Sequence, residues 1–198
     1  PEVLGQLPVA CLAEEIETPG KGQIRALLLV AGNPVVSNPE NERLAKAFAG
    51  LDFMLSIDLY LNESNRHADV ILPGVAFAEK NGTFVNSDRR VARVRRAVDP
   101  PGNARQDWEV LWQVARRMDY PMKHYQDEAE IFDEIAAVTP ILAGISYDRI
   151  KREGIQWPCP TKDHPGTSTL FLDKFNTPTG KAILYPVDYT PQIEKADA

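Results

Sequence analysis

Cysteine and histidine are scarce in this 198-residue sequence: two cysteines, Cys11 and Cys159, and three histidines, His67, His124 and His164. Neither cysteine sits in a C-x-x-C, and two cannot hold a four-cysteine cluster. A disulfide framework would be sparse at this length, so both are taken as reduced thiols of a cytoplasmic-type protein. The histidines lack metal-ligand spacing and are assigned surface or structural roles. Long apolar runs are missing too. Nothing approaches the roughly 20 residues that cross a bilayer, so no membrane span is expected. Nor is there an excess of positive charge: 22 Lys and Arg against 28 Asp and Glu give a net charge of −6, which argues against a nucleic-acid partner held through its phosphates. The start at Pro1 shows neither an initiator Met nor a signal-peptide pattern and leaves room for missing upstream sequence.

What is present describes an ordinary soluble protein, 43% hydrophobic and 25% charged. The length allows a sizeable core in one large or two small domains. One basic segment stands out: Arg89, Arg90, Arg93, Arg95 and Arg96. Contact with phosphates or acidic partners competes there with the simpler reading, an exposed or interface strand of solvated or paired arginines, which is favoured.

Along the chain, residues 1–22 look like a connecting segment around one short apolar patch, Val9–Leu12, with room for a helical turn. Residues 24–30 form a continuous apolar run broken only by Arg25, the mark of a strand buried on both faces of a parallel sheet. Asn38-Pro39 has the chemistry of a helix start, and Leu44, Ala47, Phe48 and Leu51 then supply one apolar stripe. A strand over 53–57, a short polar helix over 62–67 and a strand over 69–72 complete a βαβαβ unit. The expected fold is therefore α/β, half of a doubly wound, mostly parallel sheet with flanking helices spanning 23–82. Extended stretches at 83–85 and 91–98 predict a β-ribbon extension over 83–102. Residues 103–198 are expected to hold helices over 105–118 (apolar face Trp108, Leu111, Trp112, Ala115, Met118), 128–138 (Ile131, Ile135, Val138) and 146–153. A long loop and strand candidates at 169–172 and 182–185 follow.

Candidate site residues cluster where strands end. An open α/β sheet binds nucleotides beyond the carboxyl ends of its strands. Gly32 and Asn33 lie in a Gly-Asn-Pro turn, where the amide can donate and accept and Gly32 admits a ligand to the backbone, although an ordinary Asx turn is the commoner explanation. Asp58 follows the buried strand end at Ile57. Its carboxylate suits ribose hydroxyls or a guanine edge, with a helix N-cap as the competing role. Asp69 opens a strand at the opposite edge, so a structural role is expected. Lys80, beside Glu79, suits a pyrophosphate or else a solvated ion pair. Asp107 heads a helix, where an acid complements the dipole. No Ser-His-Asp or Cys-His constellation, Walker loop or H-E-x-x-H motif is present, so these residues are suited to holding a ligand rather than to acid, base or nucleophile chemistry.

Five blocks in order carry a resemblance: Ala26 to Pro34 (ALLLVAGNP), Ser56-Ile57-Asp58, Ala68 to Pro73 (ADVILP), Ala78 to Asn86 (AEKNGTFVN) with Arg89-Arg90, and Pro101 to Trp108 (PGNARQDW). The chain resembles the molybdopterin oxidoreductase (dimethyl sulfoxide reductase) superfamily. Through Ile155 to Pro160 and His164 to Thr167 it is most similar to the formate dehydrogenase catalytic subunit, of which it would be a middle fragment. The resemblance implies molybdenum or tungsten held by two pyranopterin guanine dinucleotides, with a [4Fe-4S] cluster expected upstream. It places dinucleotide contacts on Gly32, Asn33, Ile57, Asp58, Lys80 and Asp107. The implied partners are the rest of the catalytic subunit and iron-sulfur or diaphorase electron-transfer subunits, and the fragment alone is expected to be inactive. A non-catalytic scaffold, related to the large iron-sulfur subunit of respiratory NADH dehydrogenase, is the alternative.

Overall fold

The computed structural model describes residues 5–191, which fall into two compact units. The first comprises the described part of Pro1–Lys80 together with Arg96–His124. Its centre is a parallel sheet of β1 (Ala26–Val30), β2 (Phe53–Asp58) and β3 (Val70–Pro73), in that order. The register sets Val30 beside Ile57, Ile57 beside Leu72 and Asp58 beside Pro73. The three strands therefore finish level with one another, and the loops that follow them share one rim. Strand, helix and parallel strand in succession is the expected α/β pattern, and the order advances in a single direction, as half of a doubly wound sheet does.

Four helices belong to this unit: α1 (Leu12–Glu17), α2 (Pro34–Ser37), α3 (Asn41–Ala49) and α4 (Asp107–Arg117). The core is Ala13 and Ile16 from α1, Val35 from α2, Leu44, Ala47 and Phe48 from α3, and Met54 from β2. The stripe read in the sequence is thus the buried face of α3. Its start is not. Asn38 instead closes α2, its N–H donating to the Pro34 carbonyl at 2.9 Å, and α3 begins after Glu40, whose φ of +56° puts it in the left-handed region. Pro34 at the first helical position had already opened a helix one turn earlier. The expectation that β1 is buried on both faces also fails. As an edge strand, β1 turns only Leu27 and Leu29 toward the core cluster, and Leu28 and Val30 are 43% and 37% exposed. Asp69 plays its structural part by accepting from Met54 N–H at 2.7 Å while its own N–H returns to the Met54 carbonyl at 2.8 Å. On α4, Val110 is the buried residue, and Met118, placed in its apolar face by the sequence, is 75% exposed.

The second unit comprises Asn81–Arg95 and the described part of Tyr125–Ala198. The expected ribbon is an antiparallel pair, β4 (Gly82–Val85) and β5 (Arg90–Val94), extended by β6 (Ile155–Gln156) on the far side of β5. Helix α5 (Glu128–Val138) starts at Asp127, whose carboxylate accepts from Glu130 N–H at 2.9 Å. Phe132 and Ala136 of α5 join Val91, Ile145, Ile150 and Cys159 in the core. The sequence pointed to Ile131, Ile135 and Val138. This helix carries apolar residues on several sides, so spacing alone selected a neighbouring face.

The region 146–153 is a succession of turns and bends, and 169–172 and 182–185 form no strands. Three of the five arginines in the basic segment are engaged on loop carbonyls, where solvated or paired arginines were expected. Arg89 stacks on Trp157 and donates to the carbonyls of Trp157 and Ser168, Arg90 donates to Gly154, and Arg95 donates to Lys151. A loop without its own backbone ladder is held by guanidinium groups on its carbonyls, hydrogen bonds strengthened by the charge.

Candidate functional site

The carboxyl rim of the first unit begins with Ala31, whose N–H donates to the Ile57 carbonyl at 2.9 Å and whose φ is +49°. That left-handed residue reverses the chain at once and delivers Gly32 and Asn33 to the rim. Gly32 has no positive φ, and a Cβ there would meet its neighbours at 3.4 Å or more, so neither backbone nor packing demands a glycine. Asn33 is engaged at both ends of its amide. Nδ2 donates to Glu63 at 2.8 Å, and Oδ1 accepts from the Ser64 hydroxyl at 2.6 Å. The Asn33 amide, followed by its own backbone N–H, holds the exposed Glu63 carboxyl below the ordinary range.

Asp58 ends β2 half-buried. Its Oδ1 accepts from Leu59 N–H at 2.6 Å and Tyr60 N–H at 3.5 Å, and its Oδ2 accepts from Asn62 Nδ2 at 3.0 Å. It shapes its own loop rather than capping a helix: the short 3-10 turn Asn65–His67 is preceded by Ser64. A carboxylate has about four lone-pair directions, so Oδ2 keeps one open. Ile57 presents no group at the rim. Its side chain is fully buried and its carbonyl is occupied by Ala31, so it supports the site from beneath.

The other half of the rim follows β3. Gly74 donates its N–H to the Asp58 carbonyl at 3.0 Å, and Arg105 N–H donates to the Pro73 carbonyl at 3.1 Å. These bonds bring the head of α4 to the strand ends. A Cβ on Gly74 would lie 3.1 Å from Asp107 Oδ1, 3.5 Å from Ile57 Cγ2 and 3.7 Å from the Asp58 carbonyl carbon, so Gly74 packs closely beneath the Asp107 carboxylate. Asp107 Oδ2 pairs with Lys80 Nζ at 3.3 Å, with each side chain just over a quarter exposed. Glu79 is not paired with Lys80. It turns back to accept from Ala76 N–H at 2.9 Å and closes the 3-10 turn Phe77–Glu79.

The structure thus gathers Gly32, Asn33, Asp58, Lys80 and Asp107 at one edge of one sheet, with Ile57 under them. Asn62, Glu63, Ser64, Asn65 and Gly74 complete the constellation, and sequence reasoning missed them. The available signal was the run Asn62-Glu63-Ser64-Asn65, dense in side chains that bond backbone N–H groups, directly after a strand-ending acid. As a donor set, one amide, an open carboxylate direction and an ammonium–carboxylate pair fit the hydroxyls, ring N–H groups and phosphates of a nucleotide. No group of three or more His, Cys, Asp or Glu side chains able to hold a metal occurs among the described residues.

Against this geometry the comparisons with known proteins are specific. The profile of the molybdopterin oxidoreductase family matches residues 2–117. The F420-dependent formate dehydrogenase subunit alpha of Methanocaldococcus jannaschii is 42% identical over 187 residues, 94% of this chain and 28% of that protein. The assimilatory nitrate reductase catalytic subunit of Bacillus subtilis is 38% identical over 92% of the chain, and formate dehydrogenase H of Escherichia coli 36% over 88%. The chain spans about a quarter of each relative's length. Among solved structures, acetylene hydratase from Pelobacter acetylenicus superposes with a TM-score of 0.59 over 87% of this chain and 23% of its own, at 19% identity, a likeness of fold. The chain belongs to the molybdopterin oxidoreductase family.

Proposed function

We propose that this chain is a segment of a formate-oxidising catalytic subunit, and that the rim built on Asn33, Asp58, Lys80 and Asp107 holds the guanine dinucleotide end of a molybdenum or tungsten bis-pterin cofactor. The observation that carries the reading is the gathering of those four side chains beyond the level ends of three parallel strands. Family membership supplies the pterin, and relatives named as formate dehydrogenases supply the substrate. When bound, the cofactor supplies two-electron chemistry, in which formate yields carbon dioxide, one proton and two electrons.

This chain's own residues bind and orient. The open direction on Asp58 Oδ2 takes an N–H of the guanine edge. The Asn33–Glu63 and Lys80–Asp107 pairs are partly exposed, so each can exchange its internal partner for a ribose hydroxyl or a phosphate oxygen.

The remainder of the catalytic subunit is the proposed neighbour of the segment. Exposed apolar side chains support this: Leu28 and Phe53 on the first unit's sheet, Leu184, Tyr185, Val187 and Tyr189 on the second unit's last stretch. An iron-sulfur cluster elsewhere in the parent and separate electron-transfer subunits would carry the electrons away, in the cytoplasm. No helix of the described residues is long and apolar enough to cross a membrane.

Calorimetric titration of the chain with GDP tests the cofactor end of the reading. Saturable binding is expected, weakened about tenfold by Asp58→Ala through loss of a charge-assisted hydrogen bond. Absence of binding, or equal affinity in the variant, refutes it.

A further inference from the structure

Three side chains of one loop, Asn62, Glu63 and Ser64, converge on two rim residues that follow different strands, Asn33 after β1 and Asp58 at the end of β2. Ser64 is fully buried, and its hydroxyl is a relay: it donates to Asn33 Oδ1 at 2.6 Å and accepts from Val35 N–H at 2.9 Å. Asn62 is used at every polar atom. Its Oδ1 accepts from Ser64 N–H at 3.0 Å and Asn65 N–H at 2.9 Å, its Nδ2 donates to Asp58, and its own N–H donates to Asn65 Oδ1 at 2.8 Å. Asn65, also fully buried, anchors the loop by donating to the Tyr60 carbonyl at 2.8 Å. Glu63 accepts one of the two Asn33 Nδ2 N–H groups. At the buried members of the network, Ser64 and Asn65, each side chain has one orientation, because a rotation there strands a polar atom away from water.

We propose that Ser64 and Asn62 are positioning residues: from a single loop they fix the amide of Asn33 and the carboxylate of Asp58 at one spacing, so that both address the same ligand. The inference rests on the reading of Asn33 and Asp58 as nucleotide contacts. Its physical content is a coupling, because Asn62 accepts from the backbone of Ser64. That bond ties the two supports into one loop, with Ser64 acting on Asn33 and Asn62 on Asp58. Asn33 has further reason to need a support: it follows the left-handed Ala31 by two residues and precedes a helix of only four residues, so its own segment offers little rigidity.

The test has two arms. In the first, nuclear magnetic resonance follows the Asn33 side-chain amide in the unliganded 198-residue chain. Ser64→Ala is expected to move its two proton signals toward those of a solvated asparagine and to speed their exchange, and Ser64→Thr, which keeps the hydroxyl, to restore both. In the second, GDP affinity is measured in a double-mutant cycle. Ser64→Ala is expected to weaken binding about tenfold in the parent chain but not in the Asn33→Ala background, and Asn62→Ala to behave in the same way toward Asp58→Ala. A merely structural role predicts losses that add undiminished. The inference is overturned if the Asn33 signals ignore Ser64→Ala, or if the loss persists in full without Asn33. Should the parent chain bind no GDP, the nucleotide reading fails while the first arm still decides the positioning claim.

Discussion

Gly144→Ala subjects the packing of the second unit to its most severe perturbation. A Cβ at this position would lie 2.0 Å from the Thr161 carbonyl oxygen, 2.4 Å from its carbon and 2.7 Å from the Cys159 oxygen. All three are backbone atoms, so no side chain can swing aside, and one chain must retreat by more than an ångström. Two backbone hydrogen bonds lie in the path, Gly144 N–H to the Cys159 carbonyl and Cys159 N–H to the Ile141 carbonyl, both 2.7 Å. Overpacking of this kind costs about 1–3 kcal/mol, and each weakened hydrogen bond adds about 1 kcal/mol. The sum, roughly 3–5 kcal/mol, is a large fraction of a small unit's stability of about 5–15 kcal/mol. It corresponds to a fall in Tm of about 15–30 °C for the cooperative loss of this unit. Gly82→Ala is the control, since a Cβ there meets nothing within 4 Å, and its effect should stay within about 0.5 kcal/mol. Hydrogen exchange locates the damage: amides of Val91, Ile145 and Ile150 should lose protection in the variant, while Met54 and Ile57 keep theirs. Equal protection in both alanine variants would refute the reasoning.

Two further outcomes follow from the second unit. Burial, with Glu128 adding and Arg93 opposing, pushes the Tyr147 hydroxyl up to about 12. The unfolded chain loses that proton near about 10, so the stability held below that pH should drain away as the pH rises through the folded value. Denaturation curves of the parent and Tyr147→Phe chains should therefore converge or cross between about pH 10 and 12, and parallel curves would contradict the assignment. Cys159 is fully buried, and Arg149 donates to its sulfur at 3.2 Å and to the His164 carbonyl at 2.7 Å. A thiol reagent should therefore label the half-buried Cys11 in the native chain and spare Cys159 until Arg149→Ala opens the loop, as mass spectrometry of the peptides would show.

Elements defined by local chemistry were legible in the sequence. The three strands were found because apolar runs end sharply at Ala31, Asp58 and Pro73, and α5 because Ile131, Ile135 and Val138 recur at helical spacing; the Asp127 cap emerged only in the structure. The candidate site residues at strand ends followed from the same endings. Elements decided by a distant partner were not legible. Two residues, Ile155 and Gln156, carry no periodicity and become a strand only because β5 offers them an edge. Residues 146–153 have helical composition, yet Arg149 is drawn to the carbonyls of Gly144 and His164, and turns replace the helix. Asn33, Ser64 and Asp58 illustrate both cases. The acid announced itself by position, but its link to the amide runs through a hydroxyl from a loop whose packing no pattern of residue types encodes.

The carbonyl of Ala78 accepts two N–H groups, from Ala97 at 2.8 Å and Val98 at 3.1 Å. The polypeptide leaves the first unit just after this residue, forms the β4–β5 ribbon, and comes back to the same oxygen. The ribbon is therefore an excursion with its two feet pinned together. A short turn grafted just after Lys80 would spare the strand ends, Lys80 and the head of α4, so the first unit trimmed of its ribbon becomes an attainable object for crystallisation.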